Sequence, residues 1–229
     1  PKQGLGGTAA QPPNPDHCSV VHRRDAGHRD NMANPIATEI LPEILERIRS
    51  AGYAVFTQGN FNLNLFGIRH PDRVDGTFND MLGCAYKEDG RWIVRYWTAT
   101  TDAGLTYRET PMNPKGTAVL AAGQYRGAYK LGLHRGSYEA LVQRGAPVIV
   151  HRDNNRDQTI DVWNVPTEEG YFGINIHRAS LYGEQEEVGK WSAGCQVFAS
   201  LHDFREMVKL AKSQMANGHG NSFTYTLLD

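Results

Sequence analysis

The sequence predicts a mainly β fold with a few peripheral α-helices. Three observations carry this. Many short runs are rich in β-branched and aromatic residues, few segments have helical spacing, and strands and helices do not alternate regularly as a parallel α/β sheet requires. The first element is helical: Ile40, Leu41, Ile44, Leu45 and Ile48 recur at helical spacing, with Pro42 near the start and Gly52 at the stop. Strands are expected at 63–68, at 91–98, where Trp92, Val94 and Tyr96 alternate with Ile93, Arg95 and Trp97, and at 117–121 and 124–131. A short helix is expected at 138–144, started by Ser137 and closed by Gly145. Further strands follow at 148–151, 160–165, 171–177 and 195–199. The strongest helix reading is 201–216, where Ser200 and Asp203 form a capping-box-like start. Leu201, Phe204, Val208, Ala211 and Met215 make its apolar stripe, and Asn217-Gly218 ends it. A last strand spans 222–228.

Composition narrows the function classes. The 229 residues carry 24 Lys+Arg against 25 Asp+Glu, a net charge of −1, which gives no broad positive field for nucleic acid. The longest unbroken apolar run, Ala118 to Ala122, is far below the ~20 residues of a membrane span. Residues 1–35 hold five prolines and four glycines but only Leu5, Val20 and Val21 among large aliphatics, so they read as a flexible linker or arm. His17, His22, His28 and Cys18 in that arm match no zinc spacing. Residues 36–229 read as the folded domain, and the sequence leaves open whether 36–110 form a separate lobe. A chain starting in such a linker is expected to be a module of something longer. Three cysteines (Cys18, Cys84, Cys195) leave at least one unpaired thiol.

One of these thiols has a chemical setting. Gly173-Ile174-Asn175-Ile176-His177 is followed by fourteen residues and then Ser192-Ala193-Gly194-Cys195-Gln196. On a strand from Tyr171, Phe172, Ile174 and Ile176 share one face, while Asn175 and His177 share the other. An imidazole beside a thiol can take its proton, and a glycine before the thiol lets backbone N–H groups approach a developing oxyanion. The polar stretch from Gly183 to Glu187 is expected to be a loop or lid. Trp191, next to Ser192, can wall a pocket, and Arg178, next to His177, can meet a substrate carboxylate.

His177, fourteen residues, and Ser192-x-Gly194-Cys195 resemble the catalytic signature of the L,D-transpeptidase family. The resemblance implies a β-sandwich or barrel in which Cys195 attacks a peptide bond in a peptidoglycan stem peptide, His177 is the general base, and Ser192 orders the site. The acyl-enzyme would pass to an amine or to water, with no metal or organic cofactor. Gly123-Gln124-Tyr125 onward is similar to that family's strand with a permissive glycine and a pocket-lining tyrosine, here Tyr125. Two positions depart from the family: Ala193 stands where it has a second histidine, and Gln196-Val197-Phe198 replaces an apolar residue followed by Arg or Asn. These departures point to a divergent member, such as a phage-encoded or secreted antibacterial effector or lysin. Its place of action would be the bacterial periplasm or cell wall, with an immunity or carrier protein as a further partner. They also keep open a catalytically weakened module that binds cell wall or a partner protein. Cys84, inside an apolar run, reads as a buried thiol. Asp153, Asn155, Asp157 and Asp161 form a D-x-N-x-D run. With Gln158 at the sixth position and Asn164 at the twelfth, it reads as a turn rather than a calcium loop.

Overall fold

A computed structural model describes residues 39–72 and 76–229; the arm at 1–35, with Cys18 and its histidines, lies outside the described residues. Helix α1 (Glu43–Ser50) starts at Pro42, whose fixed φ and missing N–H suit a first turn. It buries Leu41, Ile44, Leu45 and Ile48, while Ile40 falls outside this face and is exposed. Strands β1 (Asn64–Ile68), β2 (Asp80–Glu88) and β3 (Arg91–Thr100) follow, with α2 (Leu105–Glu109) after them. Then come β4 (Thr117–Leu120), β5 (Gly123–His134), β6 (Tyr138–Gln143), β7 (Val148–Asp153) and β8 (Thr167–Gly170). The chain ends with β9 (Ile176–Arg178), β10 (Gln196–Phe198), α3 (Leu201–Ala216) and β11 (Phe223–Leu228).

Eight strands close a barrel in the order β1-β11-β5-β6-β9-β10-β3-β2, and β4, β7 and β8 form a second sheet. The mainly β expectation therefore holds, with three helices among the described residues. Three of the barrel strands come from 36–110, inside one compact unit running from Ile40 to Asp229. Closure removes the exposed strand edges that an open sheet of this size would present. Tyr129, Leu141, Phe198, Phe223 and Tyr225 are fully buried in the main core, each large side chain contributing on the order of 1.5–3 kcal/mol.

Helix α3 covers one side of this core through Phe204, Met207, Leu210 and Ala211. Its buried face is rotated from the expected stripe: Met215 is exposed, and Gln214 is buried because its amide accepts from the Leu63 N–H (3.1 Å) and donates to the Ser222 carbonyl (3.0 Å). The Ser200 side chain caps the helix by accepting from the Asp203 N–H.

Three expectations are corrected. The segment 138–144 is strand β6, hydrogen-bonded to β5 with His134 opposite Tyr138. Its last four residues, Ala140 to Gln143, are buried on both faces, so no period-2 pattern was there to oppose the local helix signals. No strand forms at 160–165, and Trp163 is exposed rather than in a core. The stretch 171–175 is not extended strand either: the N–H groups of Phe172, Gly173 and Ile174 converge on one acceptor, Gln143 Oε1, at 2.9–3.2 Å. Three consecutive donors can converge on one oxygen only if the backbone curls, and Gly173 supplies the left-handed turn at φ +72.

Candidate active site

Parallel pairing of β9 and β10 sets Ile176 opposite Gln196 and His177 opposite Val197. The pleat sends Ile176, Gln196 and Phe198 into the barrel and leaves His177 and Val197 on its outer side, with Cys195 one residue before β10 in the same alternation. Two residues along one strand and one strand across put the Cα atoms of Cys195 and His177 about 8 Å apart. The Gln196 N–H donates to the Asn175 carbonyl at 2.9 Å and anchors this corner.

Cys195 borders a cavity of about 460 Å³ between the barrel end and the second sheet. Gly173, Ile174 and Arg135 border it from the barrel side, and Thr117, Ala118 and Arg152 from the sheet. The thiol is half-buried, and Sγ donates to the Gly173 carbonyl at 3.4 Å. Gln143 thus fixes the thiol's partner by gripping the loop that carries Gly173.

Ser192 is fully buried; its hydroxyl donates to the Cys195 carbonyl at 2.8 Å and accepts from the Gly194 N–H at 3.1 Å. Ser192 thus ties the Cys195 carbonyl to the Gly194 N–H, which spends the N–H that the sequence suggested as an oxyanion donor. The donor left at this corner is the N–H of Cys195 itself.

Gly194 sits at φ +118, and a Cβ there would lie 2.2 Å from the Ala118 carbonyl oxygen. Gly194→Ala is expected to cost about 3 kcal/mol or more, from backbone strain plus a clash with a main-chain oxygen that has no flexible end. Urea unfolding checks this; an unchanged midpoint would show that the loop can shift freely.

The imidazole of His177 is buried, and its Nδ1 lies 2.8 Å from the Arg178 carbonyl. A carbonyl only accepts, so Nδ1 carries the proton and Nε2 keeps its lone pair. His134 stacks on His177 with ring centroids 4.3 Å apart. Asn175 Oδ1 accepts from the Gln143 N–H (2.8 Å), so its Nδ2 donates to His134 Nδ1 (3.1 Å) and sets the opposite tautomer there. Burial, then the neighbouring His134, push the His177 pKa down to about 3. Burial pushes the Cys195 thiol up, partly offset by the Asn175 backbone N–H and then Arg135. The resting pair is therefore a neutral thiol and a neutral imidazole.

Iodoacetamide is expected to label Cys195 in the native protein slowly at pH 7 and faster only above the ordinary thiol range, while Cys84, fully buried and also pushed up by burial, reacts only after unfolding. Peptide mapping of the labelled protein checks both. Fast labelling of Cys195 at pH 6 would show a thiolate instead.

Gln196, the neighbour of the thiol, is buried in the barrel. Its buried amide accepts from the Tyr225 hydroxyl (2.8 Å) and donates to the Thr101 carbonyl (3.2 Å). Thr101 is held by Asp80 Oδ2, which accepts from its N–H (2.6 Å) and hydroxyl (2.8 Å). Buried Arg69 completes the network: its Nε–H is aimed at Thr101 Oγ1 (3.1 Å) and lies 3.0 Å from Asp102 Oδ1. The corner holding Cys195 is thereby tied to a buried polar network whose groups hold one another in place.

Three predicted binding residues do not reach the cavity. The Tyr125 hydroxyl donates to the Ala121 carbonyl (2.6 Å) inside the core, where both strand partners and burial hold it. Arg178 stacks over the Tyr138 ring at 4.1 Å and donates to the Ala179 carbonyl (3.1 Å), so its fork is occupied. Trp191 is exposed, its N–H donating to the Val188 carbonyl at 2.8 Å. The expected lid is stitched down by bridges pairing Glu184 with Ser200 and Glu187 with Thr77. In the D-x-N-x-D run Asn155 donates to Asp157 and Asp161, while the buried Asp153 Oδ1 has no hydrogen-bond partner. Among the described residues no group of three or more His, Cys, Asp or Glu side chains could hold a metal ion.

Four residues of the site escaped the sequence reading: His134, Arg135, Tyr138 and Gln143. The first three flank the turn that was read as a helix start, so the signal that would have revealed them pointed elsewhere. No protein-family model matches the chain, and neither do any curated proteins or solved structures.

Proposed function

We propose that the chain is a cysteine acyl-transfer enzyme of the L,D-transpeptidase type that acts on peptidoglycan stem peptides. The observation that carries this reading is the shared outer face of the β9–β10 pair, on which His177 lies diagonal to Cys195, the residue that borders the cavity. In the reaction Sγ leaves the Gly173 carbonyl and passes its proton to His177 Nε2 as it attacks the substrate carbonyl carbon. The Arg178 carbonyl, accepting from Nδ1–H, stabilises the imidazolium that forms. The carbon–nitrogen bond then breaks, His177 returns the proton to the leaving amine, and a thioester on Cys195 remains. Water or a second amine resolves it with the same proton traffic in reverse. The Cys195 N–H supports the negative oxygen of each tetrahedral intermediate. An effector or lysin working at the bacterial cell wall fits this chemistry.

A second reading is favoured by one specific observation: burial holds both the thiol and the imidazole neutral, and the thiol hydrogen-bonds to Gly173 rather than to His177. On this reading the corner is a weakened site in a module that binds cell wall or a partner protein. Mass spectrometry of stem fragments incubated with the protein and with Cys195→Ala decides between them. New peptide products from the unaltered chain alone support the enzyme; equal product from Cys195→Ala overturns it.

A further inference from the structure

The cavity beside Cys195 is asymmetric in charge. Two guanidinium groups, from Arg135 and Arg152, border it, and no carboxylate does. Arg152 is already engaged: Nε donates to Glu168 Oε2 at 2.7 Å, and the guanidinium lies over the Phe172 ring at 4.8 Å. Arg135 differs. It stands exposed on the β5–β6 turn, and among the described residues its guanidinium has neither an ion pair nor a hydrogen bond. Its charge nonetheless reaches the chemistry, since it lowers the pKa of both Cys195 and His177. Ile174, Ala118 and Met112 supply apolar lining beside them.

We infer that Arg135 is a specificity residue that binds a carboxylate of the acyl donor, so that the site selects stem peptides with a free carboxylate near the bond to be cut. This rests on the proposed acyl-transfer reading and adds the charge of its substrate. A planar guanidinium with all its donors unspent matches a carboxylate bidentately, and Arg152 cannot take the role without surrendering Glu168. Selection arises because an amidated donor would leave the Arg135 charge uncompensated at the cavity rim. The carboxylate can come from the C-terminus of the donor or from a side chain beside the scissile bond. Both present the same fork to Arg135.

The experiment is equilibrium binding to the chain carrying Cys195→Ala, which prevents turnover, with and without Arg135→Gln. The probes are a stem tetrapeptide with all carboxylates free, the same peptide amidated at its C-terminus, and the same peptide amidated on its side chains. Arg135→Gln is expected to weaken binding of the free acid tenfold or more. One of the two amides should reproduce that loss in the chain that retains Arg135, and adding Arg135→Gln should then cost nothing further; that amide identifies the carboxylate. Arg135→Lys, a point charge without the fork, should recover part of the affinity. Equal loss against all three probes, no loss, or no measurable binding overturns the inference. Carboxylate-dependent binding without turnover by the unaltered chain would sink the acyl-transfer reading alone. Turnover with no dependence on Arg135 would sink this inference alone.

Discussion

Cys195→Ala is expected to lower turnover of stem peptides by at least about a thousandfold while leaving the fold intact, because a covalent route cannot proceed without its nucleophile. The structure makes that separation clean. Sγ donates a weak hydrogen bond to the Gly173 carbonyl, on a loop already fixed by three N–H groups on Gln143, and accepts from the Asn175 N–H. Removing the sulfur therefore disturbs little beyond itself, and the unfolding midpoint should move by less than about 1 kcal/mol equivalent. His177→Asn is the informative companion. The shorter amide can still donate toward the Arg178 carbonyl, but it lacks the Nε2 lone pair, so a loss of about a hundredfold to ten-thousandfold follows if His177 moves the proton. Steady-state rates by mass spectrometry, with urea unfolding alongside, check both variants. A His177→Asn rate close to that of the unaltered chain would remove His177 as the base even if Cys195 proved essential.

Much of this corner was legible in the sequence, and the parts that were not share a physical cause. Cys195, Gly194, Ser192 and His177 lie on or beside two short strands in an interval of nineteen residues, so spacing along the chain nearly equals proximity in space. Helix α3 was legible for the same reason, because its cap and stripe are local. His134 and Arg135 reach the site through pairing of β5 with β6, and Gln143 through contacts about thirty residues away. Long-range contacts of this kind leave no local period. Ser137 and Gly145 offered helix signals that the sheet overrode, since fully buried strand residues show no alternation to compete with them. Tyr125 failed in the opposite direction. Its place on an apolar strand was legible, but the hydroxyl finds partners in the core, and nothing in the sequence distinguishes that from a cavity wall.

The same buried imidazole that is proposed as the base should make the protein acid-labile. In the unfolded chain His177 titrates near 6.5, whereas burial and then His134 hold it near 3 in the folded one. Between those values the unfolded chain binds the extra proton and the folded chain does not, so stability falls as pH drops through this window and is fully present above it. The full shift corresponds to several kcal/mol, on the order of 5, a large share of the ~5–15 kcal/mol that holds a domain of this size. His134, lowered by burial and then by Arg135 and Arg178, acts in the same direction. Asp80 and Asp153 act against it: burial raises both, so each favours the folded state as pH falls below its folded pKa. The difference between the unaltered chain and His177→Asn cancels those carboxylates and isolates the imidazole. Urea midpoints measured from pH 7.5 to pH 4 should converge as pH falls, because the unaltered chain loses stability that the variant no longer has to lose. Parallel curves over that range would mean that His177 titrates in the folded protein as it does in the unfolded one, and that burial does not hold its pKa down.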